Sequence, residues 1–250
     1  MTATGISRWR TIVRTIVVIA ALSTIVAIDA HADDDFFTIR QPGHLSLTVF
    51  GSGFGSDTYG TTHAGFQLEQ TITNYVSAVG RVTAYQVYKG EGYDSPFVTG
   101  STGFRTFERF QGGIDITPIQ GLSLTVLGGR DVGNANEAVI EGDFSSWLFM
   151  HSHHPLNFSF SSTHFYENGV TSSRIDLRDV VYSSGKWLLL AGGGGAIWGG
   201  GDEGKPNGQG GPDLGIFLRE WHTSIDLQSG YGSSHLYGLV SVTKSFGWDE

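Results

Sequence analysis

The residue types that nucleophilic catalysis needs occur together in one stretch of the chain. Ser162 offers a hydroxyl, His164 offers a base two residues later, and Glu167 offers an acid three residues beyond that. Because side chains alternate along a strand, Ser162 and His164 would share one face. A hydroxyl and a base on one face are the minimum for nucleophilic catalysis, but spacing alone does not supply the geometry. We therefore expect no enzyme, and we keep hydrolysis as an alternative.

Three histidines form a second cluster with chemical potential. His151, His153 and His154 supply imidazoles of the kind that bind transition metals. The cluster falls in a short polar turn with no carboxylate beside it, and a histidine-rich tract is only a compositional hint. The glycine runs at 192–195 and 199–201 lack the Lys-Ser or Lys-Thr of a phosphate-binding loop. The sequence therefore predicts no metal and no other cofactor.

A third set consists of charged residues that fall out of phase with the apolar residues of their own stretch. The set is Glu69, Arg81, Arg105, Arg109, Asp115, Glu141, Asp143, Arg174, Asp176, Arg178 and Asp226. We expect these side chains to line an enclosed interior. They could surround a water-filled pore and set its selectivity, or they could pair across the interior and fill it. The alternation does not choose between these two arrangements.

The stretch from 174 to 178 shows the alternation most sharply. Ile175 and Leu177 separate the three charges Arg174, Asp176 and Arg178. A bare Arg or Lys facing lipid at mid-depth costs roughly 2–4 kcal/mol, so the charged face must see water or counter-charges. We therefore expect at least one of the three charges to pair with an acid on another strand.

The elements that would position these residues are β-strands, because side chains with a period of two are typical of strands. At the hairpin around 118–121, Pro118 and Gly121 punctuate two alternating stretches. Twelve strands are predicted, with ten as the alternative, and each is near the ~9–11 residues of a tilted membrane strand. They run over 44–54, 64–73, 75–88, 104–117, 122–131, 138–149, 156–166, 171–183, 186–198, 212–219, 222–231 and 236–248.

The predicted connections differ on the two sides of the sheet. Those after even strands are short, whereas 89–103 and 199–211 are long and polar. Short turns on one side and long loops on the other are typical of membrane barrels. Aromatic residues near the strand ends would form the interfacial girdles. They are Tyr75, Trp147, Phe149, Tyr166, Tyr182, Trp187, Trp198, Trp221, Tyr231, Tyr237, Phe246 and Trp248.

The first 32 residues predict export. A basic segment containing Arg8, Arg10 and Arg14 precedes an apolar run, and Ala30-His31-Ala32 fits a small-x-small cleavage site. Residues 33–43 would then form a periplasmic N-terminal segment and 44–250 the barrel. The whole chain carries a net charge of −9, which argues against nucleic acid as a partner. It contains no cysteine, so it has neither disulfides nor a thiol nucleophile.

Across residues 44 to 248 these features resemble bacterial outer-membrane β-barrel proteins as a class. The resemblance implies an all-β, antiparallel up-and-down transmembrane barrel that contacts outer-membrane lipid. The final strand, with Phe246 and Trp248 as terminal aromatics, is similar to the signal that the barrel-assembly machinery recognises, although Thr243 stands where that signal usually has glycine.

The same resemblance implies a function. We expect a small channel or an export-associated barrel for polar solutes or glycan. One alternative is an outer-membrane lipid-modifying hydrolase that uses Ser162 and His164, and another is a structural or adhesive barrel that binds a partner through its loops.

Overall fold

A computed structural model describes most of the chain after residue 40. The described residues are 41–56, 59–89, 103–119, 121–133, 137–148, 155–167, 169–200, 207–232 and 235–248. The predicted signal peptide and the histidines His151, His153 and His154 lie outside these ranges.

Twelve strands make up nearly all of the described chain, which confirms the predicted number. They are β1 (Leu45–Ser56), β2 (Tyr59–Thr73), β3 (Val76–Lys89), β4 (Gly103–Ile119), β5 (Leu122–Val132), β6 (Ala138–Leu148), β7 (Leu156–Phe165), β8 (Val170–Ser183), β9 (Trp187–Gly200), β10 (Asn207–Leu218), β11 (Thr223–Gly232) and β12 (His235–Trp248). A short 3₁₀ turn at Arg219–Trp221 joins β10 to β11. In the described ranges, no helix is long and apolar enough to cross a membrane.

The strands form one closed antiparallel barrel, as the sequence predicted. Each strand pairs with its neighbours in sequence, and β1 closes the ring by pairing with β12 from Leu45 opposite Trp248 to Ser56 opposite Tyr237. Closure leaves no strand with an unpaired edge, which is a requirement for a sheet in lipid. We call the end that holds Leu45 and Trp248 the turn end, and the opposite end the loop end.

Alternation sorts the side chains into two environments. Large apolar residues point outward and are exposed: Phe66, Leu68, Phe110, Ile114, Leu124, Val126, Phe160, Ile175, Leu177, Leu214 and Leu227. Charged and polar residues that point inward are buried: Glu69, Arg109, Gln111, Asp115, Asp131, Asp176, Asp213 and Gln228. A water-soluble sheet has the reverse arrangement, with its apolar face buried. Apolar outside and polar inside is the pattern of a membrane barrel.

Two leucines of β9 point inward, contrary to the sequence pattern. The sequence pattern places Leu188 and Leu190 with the apolar residues of the outward face, but both are buried inside the barrel, where they pack with Val180. Periodicity could not place them, because Trp187 to Ala191 is apolar at both odd and even positions. A register shift between Val180 and Tyr182, opposite this stretch, is the local irregularity.

The predicted aromatic girdle is only partly present. Tyr75, Tyr166 and Tyr231 are exposed as expected. Trp198 and Tyr237 are instead buried, and their positions in the alternation point them into the barrel. A girdle residue must face outward as well as lie near a strand end, and position along the strand does not fix the facing.

The connections are more even in length than the sequence suggested. Strand β9 continues to Gly200 and β10 already begins at Asn207, so much of the expected 199–211 loop belongs to paired strands. The connection between Lys89 and Gly103 is long, as predicted. Pro118 likewise lies inside β4, where a register shift between Ile116 and Ile119 accommodates it.

Two adjacent glycines in β4 show how differently the two faces are packed. Gly113 points inward, and a Cβ atom added there would lie 1.9 Å from the carbonyl oxygen of Val126 on β5. Gly112 points outward, and its nearest atom would be a carbonyl oxygen 3.9 Å away, which is an ordinary contact. Only glycine fits the inward position without moving backbone.

This difference predicts unequal effects of the same substitution. Gly113→Leu should abolish most of the folded barrel because its Cβ overlaps a backbone atom, whereas Gly112→Leu should leave the yield nearly unchanged. Heat-modifiable mobility on gels measures the folded fraction of both variants. Equal yields would contradict the inward and outward assignment.

Candidate binding site in the barrel interior

The interior of the barrel holds a cavity of about 530 Å³, which we call the chamber. Its lining residues come from β1–β4, β6–β9 and β12. A volume of this size lies within the ~300–1,000 Å³ range of small-molecule sites in proteins.

One wall of the chamber is aromatic and runs across β1 to β4. We call Phe50, His63, Tyr85 and Phe107 the aromatic wall. The ring centroids of successive members lie 6.2, 5.3 and 4.7 Å apart, and Tyr85 stacks on Phe107 at an interplanar angle of 7°. These distances are typical of favourable ring contacts, so the four rings brace four neighbouring strands.

The opposite wall carries small hydroxyl side chains. Ser161 and Thr163 on β7 and Ser172 on β8 line the chamber, and we call them the hydroxyl wall. Strand β7 lies six strands from β1 around the ring, so this wall faces the aromatic one. Within the part of the chain that the structure describes, these three hydroxyls form no side-chain hydrogen bond.

A charged network crosses the interior between β3 and β6. Arg81 donates to Glu141 and approaches Asp143 at 3.5 Å, and its Nε donates to Gln67 on β2 at 2.9 Å. Gln111 on β4 donates to the other oxygen of Glu141 at 3.1 Å. We call these five side chains the Arg81 network. It reaches over β4 and β5, so it narrows the interior instead of lying along one wall.

A second network connects β8 to β10 and β11. Arg178 donates to Asp213 at 2.8 Å and to Asp226 at 2.5 Å. We call these three residues the Arg178 network. Glycines make room for it: a Cβ at Gly192 would lie 2.7 Å from the Cα of Arg178, and one at Gly215 would lie 3.3 Å from its Nη1.

Two further arginines of the interior are held by carboxylates. Arg109 on β4 forms two hydrogen bonds with Asp131 on β5, at 2.6 and 2.9 Å, and its guanidinium lies 5.0 Å from the ring centroid of Tyr85. Arg174 forms two hydrogen bonds with Asp176 on its own strand, at 2.7 and 2.9 Å. Bidentate pairs of this kind are strong and fix the orientation of both groups.

A smaller cavity of about 230 Å³ lies toward the turn end. Trp147, Asn157, Arg178, Phe217 and Asp226 are among its lining residues, and it shares none of them with the chamber. The Arg81 network borders the chamber and the Arg178 network borders the smaller cavity. Each of the two cavities is therefore bordered by ionic side chains.

All eleven charged residues of the predicted interior set occupy inward positions in the strands. Asp115 accepts hydrogen bonds from Thr117, Ser123 and Thr125 at 3.0, 2.6 and 2.6 Å. Arg178 pairs with acids on two other strands, as the sequence predicts, and these acids are Asp213 and Asp226. Glu141 and Asp143 bind Arg81.

Sequence reasoning missed two acids and the aromatic wall. Asp131 and Asp213 lie in phase with inward residues of their strands, so alternation could have found them. Tyr85 likewise follows Arg81 and Thr83 on one face. His63 was not predicted as an interior residue, because β2 was predicted to begin at residue 64 and in fact begins at Tyr59.

The predicted nucleophile and base do not contact each other. Ser162 and His164 point outward, and each is bonded to a hydroxyl of β8: Ser162 to Ser173 at 2.9 Å and His164 Nδ1 to Thr171 at 2.9 Å. Glu167 accepts a hydrogen bond from the backbone N–H of Ala138 at 2.7 Å. The three side chains are thus engaged separately. Among the described residues, no three metal-binding side chains come together.

Comparison with known proteins identifies the fold. No protein-family model matches the sequence, and neither does any curated protein. The structure is similar to an outer membrane channel from Pseudomonas putida F1, with a TM-score of 0.51 at 9% sequence identity over 87% of this chain and 99% of that one.

Two further solved structures lie below a TM-score of 0.5. The KdgM porin gives 0.45 at 8% identity over 80% of this chain and 99% of its own. The translocator domain of the autotransporter NalP from Neisseria meningitidis gives 0.46 at 10% identity over 98% and 99%. The closed antiparallel barrel and its similarity to the Pseudomonas putida channel show that the chain has the fold of bacterial outer-membrane β-barrels. The class-level resemblance is confirmed at the level of fold.

The Arg178 network predicts a large loss of stability when its cation is removed. Arg178→Leu removes the ion-pair partner of Asp213, whose side chain is 0% exposed. Removing one partner of a buried pair costs about 3–5 kcal/mol. The free energy of unfolding, measured by urea titration of the barrel in lipid vesicles, should fall by that amount.

The neighbouring Arg174→Gln is the matched control. Arg174 is 25% exposed and its partner lies on the same strand, so its loss should be clearly smaller. The outward Ile175→Arg should be more damaging than Arg174→Gln, because a lipid-facing charge costs about 2–4 kcal/mol at mid-depth. Equal effects of the last two substitutions would show that the strand register is wrong.

Proposed function

We propose that this protein is an integral outer-membrane barrel, exported by its N-terminal signal peptide, that admits small polar solutes to its interior. The observation that carries the proposal is the separation of side chains in a closed barrel. The outer face is apolar and exposed, and the inner face holds charges around a chamber of about 530 Å³. Lipid would surround the first face, and water or solute would occupy the second.

The networks of Arg81 and Arg178 would form the constriction of this passage. The Arg81 network borders the chamber, and the Arg178 network borders the smaller cavity near the turn end. Charged side chains that cross a pore limit its width and select among the solutes that pass. A barrel of twelve strands lies between filled eight-strand barrels and open sixteen-strand porins, so side chains of this length suffice to narrow it.

We further propose that the protein carries out no covalent chemistry. Ser162 and His164 are each bonded to a β8 hydroxyl instead of to each other. A base that activates a nucleophile must lie within hydrogen-bond reach of it in a productive arrangement. In this proposal the Ser162–Ser173 and His164–Thr171 pairs satisfy each other's polar groups near the loop end of the lipid face.

Two partners follow from the proposal. Outer-membrane lipid would contact the exposed apolar side chains, and the barrel-assembly machinery would insert the chain through the final strand that ends in Phe246 and Trp248. Cell fractionation tests the contact with outer-membrane lipid, because recovery of the protein as a soluble periplasmic species would contradict it.

Conductance across planar bilayers tests the passage. The wild-type barrel should conduct ions weakly, and Arg81→Ala should raise the single-channel conductance roughly two-fold or more, since it removes the side chain that crosses the interior. Arg130→Ala is the matched control, because Arg130 occupies an outward, exposed position on β5. It should leave the conductance unchanged.

The competing functions give different results in the same preparation. Hydrolysis of phospholipid or lipid A that His164→Ala abolishes, together with an absence of conductance, would overturn the proposal in favour of a hydrolase. Absence of both activities would favour a structural or adhesive barrel.

A further inference from the structure

We infer that the chamber binds a neutral, polyhydroxylated solute of the size of a small saccharide. This inference rests on the proposed function, because it names the class of solute that the same interior would take.

The charges of the chamber argue for a neutral ligand. Three arginines line it, and each is already held by carboxylates: Arg81 by Glu141 and Asp143, Arg109 by Asp131, and Arg174 by Asp176. A charged solute would have to displace one member of such a pair. Separating a partly buried pair leaves a charge without its partner, and this is costly. A neutral solute requires no such exchange.

The hydroxyls of the chamber argue for a ligand that both donates and accepts hydrogen bonds. Besides the hydroxyl wall, Ser52, Thr61 and Thr243 line the chamber, are half-buried, and form no side-chain hydrogen bond within the described part of the chain. Each hydroxyl offers one donor and two acceptor positions. Solute hydroxyls have the same dual character, so a polyol could satisfy several of these groups at once.

The aromatic wall supplies the second requirement of saccharide recognition. A sugar ring presents C–H groups on its faces and hydroxyls at its edge. Aromatic side chains combine a large apolar surface with a defined geometry, and they pack well against such faces. Phe50 and Phe107 line the chamber on the side opposite Ser161 and Ser172. A ring placed between the walls would therefore contact apolar groups on one side and hydroxyls on the other.

Fixed partners make this arrangement pre-formed. Arg109 lies over Tyr85 and over Phe165 at 5.0 and 5.1 Å from the ring centroids, and its two bonds to Asp131 hold it there. Tyr85 is in turn stacked on Phe107. A wall whose members are locked by neighbours loses little conformational entropy when a ligand binds.

Isothermal titration calorimetry on the purified barrel in detergent tests the ligand class. The probes are maltose, sucrose and N-acetylglucosamine as neutral saccharides, galacturonic acid as an anion, and glucosamine as a cation. At least one neutral saccharide should bind, and it should bind more tightly than either charged sugar. Tighter binding of a charged sugar, or no binding of any neutral one, would overturn the inference.

The variants locate the binding. A triple variant of the hydroxyl wall, Ser161→Ala/Thr163→Val/Ser172→Ala, should weaken saccharide binding roughly ten-fold or more, because three hydrogen-bonding groups are lost. The control Ser162→Ala/Ser173→Ala changes the outward hydroxyls of the same two strands and should leave affinity unchanged. Heat-modifiable mobility verifies folding, and Thr163→Val alone replaces the triple variant if that one does not fold. Equal weakening by the outward control would overturn the assignment to the chamber.

Conductance separates this inference from the proposed function. If the barrel conducts ions but no neutral saccharide binds or blocks the current, the passage stands and the ligand class is wrong. If a saccharide binds and no current is seen, the binding site stands and the passage is wrong.

Discussion

The pairing of β1 with β12 is the constraint on which the rest of this structure depends. Once the sheet is closed, every residue of every strand must point either into one confined space or out into the surroundings. Successive side chains along a strand then face two different surroundings, the confined interior and the lipid outside. Exposed residues such as Phe66 and Ile175 and buried ones such as Arg109 and Asp213 follow from that division.

Confinement also explains why the interior charges are bound to one another. In a space of reduced dielectric, an unpaired charge is expensive and a paired one is strongly held. Glycine enables the pairing: Gly194 on β9 has Asp176 Oδ1 where its own Cβ would be, at 1.8 Å. The glycine-rich stretch of β9 thus leaves room for the ionic side chains of β8. Its role in the barrel is to leave space, not to bind phosphate.

The sequence predicted the architecture well because alternation is read from one residue to the next. The eleven interior charges could be placed because they alternate with apolar neighbours such as Ile175 and Leu177, which face outward. Three kinds of feature could not be predicted from the alternation. Leu188 and Leu190 lie in a stretch that is apolar in both phases, where the period carries no information. Gly199 and Gly200 look like part of a loop in the sequence, yet they pair with Thr171 and Val170 of β8. The partners of Arg81 and Arg178 depend on which strands come close together inside the closed barrel. A local sequence pattern does not contain that information.

Because the sequence contains no cysteine, single introduced cysteines can test whether the barrel has lipid outside and solute inside. Val242 and Thr243 are neighbours in the middle of β12, and Thr243 lines the chamber whereas Val242 points away from it. Single variants Val242→Cys and Thr243→Cys can be labelled in intact outer membranes with a small water-soluble thiol reagent and with a lipid-soluble maleimide. Thr243→Cys should react with the water-soluble reagent, and Val242→Cys should react only with the lipid-soluble one. Reaction of both cysteines with the water-soluble reagent at similar rates would contradict a barrel with lipid outside and a solute-filled interior.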